Sequence, residues 1–357
     1  MINFYMALLH NKHVAVKGIS ACVPGNSIKN ADNTFFSLNE INAFINNVGV
    51  EELRVSETEV CTSDLCVAAA QKLLEELDVD KNDIGILVFV SQSPDYYFLP
   101  NTACIIQDKL QLNKETLAFD VPLGCSGYVY GLNLIASYLS SGQMKKGLLL
   151  VGDTASKIPN PRDKSSSMLF GDAGTATIME YDERSEGIYF HMATDGSGYK
   201  AIIVPEGGFR NRFSNKSLTE YKNDEGLIRT PNSLHLDGFD VFSFGISEAP
   251  KTCKKLMEHL NITNNDIDYA VFHQANRMMN EKIRKKLSLP ENKVPYSLKH
   301  FGNTSSASIP LTMVTEMRED LRKKTNRLLL CGFGVGLSWG TAYTTFNNII
   351  VPELIEI

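Results

Sequence analysis

The feature that most constrains the fold is a weak internal repeat. In each half of the chain, an apolar strand-like run precedes a glycine followed by a polar residue, and a second apolar run ends in glycine. The first copy consists of Ile86–Val90, Gly124-Cys125 and Leu148–Gly152, and the second of Tyr269–Phe272, Gly302-Asn303 and Leu328–Gly332. By this pattern Cys125 and Asn303 are counterparts that face one pseudo-two-fold centre. We expect an N-terminal half, residues 1–182, that carries the nucleophile, and a C-terminal half, residues 183–357.

The remaining segments alternate between strand and helix patterns. Ile84–Val90 is an apolar run between polar residues, which is typical of a strand buried on both faces. A stripe of apolar residues from Leu65 to Leu77 predicts a helix that Thr62 caps. Gly238–His259 resembles a long helix, whereas residues 207–231 are polar and lack periodicity, as in functional or mobile loops. This alternation predicts a layered α/β architecture.

Cys125 stands at a strand-to-helix junction. The strand-like run Thr116–Val121 ends in a Pro-Leu-Gly turn, and an apolar helix runs from Cys125 to about Ser140. A helix that is apolar on nearly every face is buried, so the residue at its start lies in a hole lined by protein. Unpaired backbone N–H groups and the helix dipole favour a thiolate there. We therefore predict that Cys125 is a nucleophile.

Composition restricts the class of function. The 357 residues carry a net charge of −6, which argues against nucleic acid as a main partner. No apolar run reaches the length that spans a bilayer, so we expect no membrane partner. Met1–His10 lacks the basic lead and cleavage site of a signal peptide. The seven cysteines show no metal-ligand spacing, so we expect reduced thiols in a cytoplasm and no metal site.

Two further polar positions accompany the cysteine. His273 follows the strand-like run Tyr269–Phe272, and the end of a strand is where α/β proteins place reactive groups. Asn303 follows a glycine and opens a helix. Taken alone, such a His is usually a satisfied structural group and such an Asn a helix cap. Together with Cys125 they supply a nucleophile and two hydrogen-bond donors, which can acylate a thiol and stabilise an enolate oxygen.

Five motifs occur in a fixed order along the chain. They are Gly124-Cys-Ser-Gly, Phe170-Gly-Asp-Ala-Gly-Thr-Ala, His273-Gln-Ala-Asn, Gly302-Asn-Thr-Ser-Ser-Ala-Ser-Ile-Pro and Gly332-Phe-Gly-Val-Gly-Leu-Ser-Trp-Gly. On these motifs the sequence, from about Lys12 to its end, resembles the β-ketoacyl-acyl carrier protein synthase III group of the thiolase superfamily. The resemblance implies a thiolase-like duplicated five-layer αβαβα sandwich and a homodimer.

The resemblance also implies roles for individual residues. Cys125 would take an acyl group from acyl-ACP or acyl-CoA, where ACP is acyl carrier protein. His273 and Asn303 would bind the thioester carbonyl of malonyl-ACP, whose decarboxylation leaves a carbanion that attacks the acyl group on the thiol. The backbone N–H of Cys125, with an amide from Val335 or Gly336, would hold the oxyanion of that attack. No permanently bound cofactor is implied.

The segment that binds CoA in this family differs here. Members that start from acetyl-CoA place a Trp and an Arg around the adenine. In this chain Ala43 or a neighbour replaces that Trp, Asn47 replaces that Arg, and Lys164 replaces a second Arg. Loss of one stacking partner and two Arg sites disfavours tight CoA binding. We expect a donor on a carrier protein, or a CoA thioester held in another way.

Docking of an acidic carrier protein on an acidic enzyme requires a local basic patch. The candidates are Arg277, Lys282, Arg284, Lys285 and Lys286 after His273, with Arg210, Arg212 and Lys216 in the central loop. A solvated helix face explains the same charge run equally well. Phe98 and Leu99 stand where the family often places a gate for acyl chain length, so they are the predicted acyl-pocket residues.

Other functions remain open on the sequence alone. A thiolase would carry a second Cys at position 332, but Cys331 lies one residue earlier and therefore on the opposite strand face, in the core. An acyltransferase of the same fold could pass the acyl group to an oxygen, nitrogen or sulfur nucleophile. A cysteine peptidase is disfavoured because its local signature is missing. An inactive homologue is disfavoured because all three reactive residues are present.

Overall fold

The computed structural model describes residues 8–357. The prediction for Met1–His10 therefore lies mostly outside the described residues. The α-helices are α1 (Leu38–Val48), α2 (Thr62–Glu76), α3 (Thr102–Lys109), α4 (Gly127–Leu139), α5 (Gly238–Leu260), α6 (Arg277–Lys286), α7 (Leu298–Phe301), α8 (Ser308–Glu316) and α9 (Arg318–Lys323). No helix in this part of the chain is long and apolar enough to cross a membrane.

The β-strands form two large sheets and three small ribbons. They are β1 (Leu8–Asn11), β2 (Val14–Val23), β3 (Ser27–Lys29), β4 (Glu52–Arg54), β5 (Ile84–Val90), β6 (Leu117–Val121), β7 (Lys146–Thr154), β8 (Asp172–Tyr181), β9 (Ile188–Thr194), β10 (Ile202–Ile203), β11 (Tyr221–Lys222), β12 (Ile228–Arg229), β13 (His235–Leu236), β14 (Tyr269–Phe272), β15 (Thr325–Gly334), β16 (Ser338–Asn347) and β17 (Ile355–Glu356).

The two large sheets carry the internal repeat. Their strand orders are β17-β2-β8-β7-β5-β6 and β1-β9-β16-β15-β14. Strand β5 is parallel to β7, as β14 is to β15, and the following pairs toward β2 and β9 are antiparallel. Strands β2, β5, β7 and β8 thus correspond in order and direction to β9, β14, β15 and β16. The apolar runs that suggested the repeat are β5 and β7 in one half and β14 and β15 in the other.

The two halves exchange strands at their ends. The chain passes from β8 to β9 through the polar turn of residues 182–187. Strand β1 then pairs with β9 of the second sheet, and β17 pairs with β2 of the first. Each sheet is therefore completed by a segment from the other end of the sequence. The division into domains at 182/183 stays a prediction.

The layers follow from which helices touch which sheet. Helix α4 contacts β5 and β7 on one side and β15 and β16 on the other, and α8 contacts β2, β8 and β14. These two helices lie between the sheets, which explains why α4 is apolar on nearly every face. Helices α2 and α3 cover the outer face of the first sheet, and α5, with α6 packed on it, covers the second. The predicted five-layer αβαβα sandwich is confirmed.

Two local predictions are corrected. Thr62 is the first residue of α2 rather than its cap, because the N-cap position is Cys61, whose N–H donates to the Asp64 carboxylate at 2.9 Å. Helix α4 begins at Gly127, so Cys125 lies two residues before it.

The central segment, residues 207–231, is irregular apart from β11, β12 and a short 3-10 helix at Asn215–Leu218. It is fastened to the first half by a buried ion pair in which Arg229 Nε lies 2.7 Å from the Asp163 carboxylate. The flanking strands β10 and β13 pair with each other. Leu234 packs there with Phe170 in a small apolar cluster. This cluster forms one wall of the candidate site.

Candidate active site

A cavity of about 220 Å³ lies where the carboxyl ends of β5, β7, β14 and β15 meet. Its wall contains Cys125, His273 and Asn303, the three residues predicted to be catalytic. Most of the remaining wall is apolar and includes Phe44, Leu169, Phe170, Leu236, Phe242 and Phe333. An apolar cleft with a few convergent polar groups is the usual form of a small-molecule site.

The thiol of Cys125 lies at one end of the cavity. Its Sγ is 4.0 Å from the hydroxyl oxygen of Ser305. Burial raises the pKa of the thiol to about 11, although hydrogen bonds from Ser305 and from the backbone of Val335 and Cys125 itself act in the opposite direction. The prediction that the helix start favours a resting thiolate is therefore wrong. At neutral pH the thiol keeps its proton and must lose it when it attacks.

His273 is fixed by contacts on both sides of its ring. Its backbone N–H extends β14 by donating to Cys331, and its Nδ1 lies 2.7 Å from Ser308 Oγ. Ser308 Oγ also accepts the backbone N–H of Gln274 at 3.3 Å, so one hydroxyl bonds both the ring and the residue that follows it. Burial lowers the pKa of His273 to about 3. The imidazole is neutral at physiological pH and suited to donate a hydrogen bond.

Asn303 is held by the loop that precedes β8. Its N–H donates to Leu169, and its C=O accepts from Gly171. Gly302, with φ +62°, permits this approach, because a Cβ there would lie 2.6 Å from the Leu169 carbonyl oxygen. The side-chain oxygen of Asn303 accepts the N–H of Ser305 at 2.9 Å. The amide nitrogen is the group left to donate toward a substrate in the cavity.

Known proteins resemble the whole of this arrangement. The family model for 3-Oxoacyl-[acyl-carrier-protein (ACP)] synthase III matches residues 119–196, and the model for its C-terminal part matches residues 257–346. The beta-ketoacyl-[acyl-carrier-protein] synthase III of Sulfurovum sp. is 33% identical over 94% of this chain and 96% of its own. That of Clostridioides difficile is 34% identical over 82% and 86%.

A solved structure shows the same likeness in three dimensions. The 3-oxoacyl-(acyl-carrier protein) synthase of Burkholderia xenovorans LB400 superposes with a TM-score of 0.92 at 35% identity, covering 99% of this chain and all of that one. The chain belongs to the 3-oxoacyl-ACP synthase III family. The predicted enzyme class is confirmed: this synthase III family member is an acyl-transferring, decarboxylating condensing enzyme.

The glycine loop after β15 completes the wall of this synthase III site. Val335 lines the cavity and its backbone bonds the thiol of Cys125, whereas Gly336, the other predicted amide, lies outside the lining. Ser338 Oγ donates to the Val335 carbonyl at 3.0 Å and lies 2.7 Å from Ser126 Oγ. This hydroxyl pair, which sequence reasoning missed, ties the loop to the residue that follows the nucleophile.

Sequence reasoning also missed Asp153, a buried carboxylate in the same wall. Its Oδ1 accepts from the N–H of Gln92 at 2.7 Å and from the hydroxyls of Ser91 and Ser93 at 3.0 and 3.1 Å. Burial raises the pKa of this carboxyl. A signal for it was present, because Asp153 ends an apolar strand as His273 does.

The predicted acyl-pocket residues are not part of this cavity. The side chains of Phe98 and Leu99 are 54% and 72% exposed. The loop between β5 and α3 carries them to the surface, where Phe98 contacts the ring of Phe209 at 4.9 Å between centroids. Phe98 and Leu99 thus lie outside the cavity of a single chain, and their assignment to the acyl pocket stays a prediction.

Arg284 is not available for docking a partner. Its guanidinium donates to the carboxylates of Glu281 and Glu291 and to the carbonyl of Leu289, and the side chain is 9% exposed. Its part in the predicted basic patch is corrected to a structural one. The other predicted cations are exposed or partly exposed: Arg277, Lys282, Lys285, Lys286, Arg210, Arg212 and Lys216.

Among the described residues, no group of three His, Cys, Asp or Glu side chains is arranged to hold a metal ion. Cys331 is fully buried, with its Sγ 3.9 Å from the carbonyl of Ala249. It does not line the cavity, and it lies on the opposite face of β15 from Gly332, as the one-residue offset predicts.

Proposed function

We propose that Cys125 accepts an acyl group from an acyl thioester and that His273 and Asn303 then activate malonyl-ACP for a decarboxylating condensation. The observation that carries the proposal is that these three side chains, from both halves of the chain, line one apolar cavity. The neutral imidazole of His273 and the amide of Asn303 supply donors for the enolate oxygen that forms when CO2 leaves. The backbone amides of Cys125 and Val335 stabilise the oxyanion formed when the carbanion attacks the acyl group.

The pairing of cations near the cavity supports an acyl donor bound to a carrier protein rather than to CoA. Lys164, next to a cavity residue, lies 3.6 Å from the Glu40 carboxylate, and Arg162 lies 2.8 Å from Glu220. Ala43 is exposed on α1, where it offers no ring for an adenine. Cations already paired with carboxylates bind an additional phosphate less well.

Docking of the carrier is assigned to helix α6 and the central loop. Arg277 stacks on the ring of Tyr296, with 4.1 Å from its Cζ to the centroid, and it follows Asn276 of the cavity wall. Lys282 lies 4.9 Å above Phe242, another wall residue. Lys285, Lys286, Arg210 and Arg212 extend this positive surface. Complementary charge would speed association with an acidic carrier and make it dependent on salt.

The enzyme is proposed to be a homodimer of the cytoplasm. The exposed side chains of Tyr97, Phe98, Leu99 and Phe209 form a contiguous apolar surface, with Phe98 in ring contact with both aromatic neighbours. Such a patch marks an interaction surface in a soluble protein. A second copy would cover it.

The test separates loading from condensation. The protein is incubated with acyl-ACP or acyl-CoA, and its intact mass is recorded; malonyl-ACP is then added and released CO2 is measured. We expect an acyl adduct, faster with acyl-ACP, and CO2 after the second addition. Absence of an adduct with every donor contradicts the proposal. An adduct that never reacts with malonyl-ACP favours transfer to an oxygen, nitrogen or sulfur acceptor.

The nucleophile has a matched control in this assay. Cys125→Ala removes the proposed acyl carrier, so the adduct should be absent with every donor. Cys104→Ala changes an exposed cysteine away from the cavity and should leave the adduct intact. An adduct that persists in the first variant and is lost in the second would show that the wrong thiol was assigned.

A further inference from the structure

Asp153 is a buried carboxylate whose two oxygens have different surroundings. Oδ1 is saturated by the three donors of the Ser91–Ser93 turn. Oδ2 accepts from Ser306 Oγ at 3.1 Å, and the hydroxyl of Ser305 also bonds the carboxyl group. The side chain is 1% exposed yet borders the cavity. An acid with this many donors is anchored in one orientation, beside the two serines.

Ser305 connects this carboxylate to the nucleophile. Its Oγ lies 4.0 Å from Cys125 Sγ, within contact of a thiol. Its backbone is held in the left-handed region, with φ +50°, and its N–H donates to Asn303 Oδ1. A non-glycine residue in that region is held there by its surroundings, because the conformation is unfavourable. The hydroxyl is thereby placed between Cys125 and Asp153.

His273 is not arranged to take the thiol proton. Its Nδ1 is occupied by Ser308, and its other contact is to the backbone of Ser305. Within residues 8–357, the side-chain hydrogen bond of the Cys125 thiol is with Ser305. The imidazole also strongly favours its neutral form, because it is buried. Another group must accept the proton when the thiol attacks.

We infer that Ser305 and Asp153 form the path along which the Cys125 proton leaves during acylation, an inference that rests on the proposed function. Sγ forms a bond to the thioester carbonyl carbon, and the carbonyl π electrons move to its oxygen, as the thiol proton passes to Ser305 Oγ and the Ser305 proton passes to the Asp153 carboxylate. When the tetrahedral intermediate breaks down, the carbon–sulfur bond of the donor breaks. The proton returns by the same path to the departing sulfur, which leaves as a thiol. No oxidant or further reactant is needed.

The electrostatic surroundings suit this transfer. Burial raises the pKa of the Asp153 carboxyl and so brings it closer to that of the thiol. The titratable groups that face the carboxylate are Cys125, the thiol of Cys66 on α2, and His273 across the cavity. Each of these is neutral at physiological pH because of burial. A proton that moves from Cys125 to Asp153 therefore meets no competing ionised group.

A purely structural role for Asp153 makes the opposite prediction. The negative carboxylate raises the pKa of Cys125, so its replacement by a neutral amide of the same shape should make the thiol more acidic and more reactive. If Asp153 is the proton acceptor, the same replacement should make the thiol less reactive at neutral pH. The direction of the change distinguishes the two roles.

The experiment measures Cys125 alkylation by iodoacetamide, with intact mass and peptide mapping, from pH 6 to pH 9 in wild type and Asp153→Asn. Acylation by acyl-ACP is followed in parallel. We expect Asp153→Asn to slow both reactions at pH 7 by about 10²-fold, the usual size of a general-base effect, and to make the rate rise with hydroxide concentration. Equal or faster reaction of Asp153→Asn at pH 7 overturns the inference.

Two serine variants distinguish a proton path through Ser305 from hydrogen bonds that only hold the Asp153 carboxylate in place. Ser306→Ala removes a hydroxyl that also donates to Asp153 but does not contact the thiol, and should have a much smaller effect than Ser305→Ala. The double variant Ser305→Ala/Asp153→Asn should lose no more rate than the worse single variant, because the two groups act in series. Additive losses, or equal effects of the two serine variants, contradict the path.

The two readouts keep this inference apart from the proposed function. Alkylation needs no acyl donor, so it tests the path even if the wild type accepts no acyl group and the proposed function fails. Wild-type acylation with a fast Asp153→Asn variant refutes the path alone. If Asp153→Asn does not fold, as judged by its thermal transition, the comparison of Ser305→Ala with Ser306→Ala decides the question.

Discussion

The two halves of the molecule place different chemistry at equivalent points of the same topology. In the first half, β7 carries the carboxylate of Asp153 one residue before the strand ends, and the loop before α4 carries the thiol of Cys125. In the second half, β15 ends in the bare backbone of Gly334 and the loop before α8 carries the amide of Asn303. One half holds groups that gain and lose protons. The other holds neutral donors and open backbone.

This difference matches the two steps of the proposed reaction. Loading an acyl group requires a nucleophile that gives up a proton, which the first half supplies. Decarboxylation and attack require donors aimed at oxygens that become negative, and a fixed negative charge at those positions would oppose them. The duplicated fold thus provides two similar frames, each with its own set of side chains.

The largest expected effect that tests this separation comes from Asn303→Ala. It removes a donor to the enolate oxygen, so CO2 release from malonyl-ACP should slow by about 10²- to 10³-fold while acylation of Cys125 persists. Single-turnover acylation and CO2 release are measured on the same sample. Asn303→Asp keeps the oxygen that accepts from Ser305 and serves as the matched variant. If acylation is lost in both variants, the assignment of steps to halves is wrong.

A methyl group can be added to the open backbone of the second half by substituting Gly334. In Gly334→Ala the new Cβ would lie 2.5 Å from Cys125 Cβ and 2.9 Å from Sγ, so the thiol must move. We expect iodoacetamide alkylation and acylation of Cys125 to fall by about 10²-fold, as for other misplaced reactive groups. Gly208→Ala, whose Cβ would have no atom within 4 Å, is the control. Unchanged rates in Gly334→Ala would show that close approach of this backbone is unnecessary.

Helix α6 of the second half is basic, whereas its counterpart α3 has a single Lys, Lys109, paired with Asp64. Arg284→Ala should lower the free energy of unfolding by about 1 to 3 kcal/mol, because Glu281 loses its buried donor. Lys285→Ala should leave stability unchanged and raise KM for the carrier substrate. Urea unfolding and steady-state kinetics measure the two effects. If Arg284→Ala instead raises KM without lowering the free energy of unfolding, Arg284 belongs to the docking surface and its structural assignment is wrong.

The smallest effect concerns acid stability. The buried imidazoles, His191 and His273, lie in the second half, and burial lowers the pKa of His191 to about 4. Because the folded state favours the neutral ring, this stabilisation is complete above the unfolded pKa of about 6.5 and is lost as pH falls below it. His191→Gln should reduce the loss of unfolding free energy between pH 7 and pH 5 by about 2 kcal/mol.

Unfolding of wild type and His191→Gln in urea at both pH values measures this difference. Glutamine can keep the hydrogen bond to Thr252 Oγ1, which His191 Nδ1 makes at 2.7 Å, so the comparison isolates the charge. Two buried carboxyls of the first half, Asp153 and Asp172, have raised pKa values and respond to pH in the opposite sense. An identical pH dependence in both proteins would show that His191 is not the source.

The sequence by itself determined the layered fold, its duplication and the meeting of Cys125 with His273 and Asn303. Apolar runs and glycine turns are local signals, and strand ends gather polar residues at one edge of a sheet. Only the tertiary structure decided that the thiol keeps its proton, that Phe98 and Leu99 are exposed, and that Arg284 is buried among its hydrogen-bond partners. Those depend on burial and on partners distant in sequence, which no local pattern encodes. The same is true of Asp153, whose carboxylate becomes relevant only because folding places it beside Ser305.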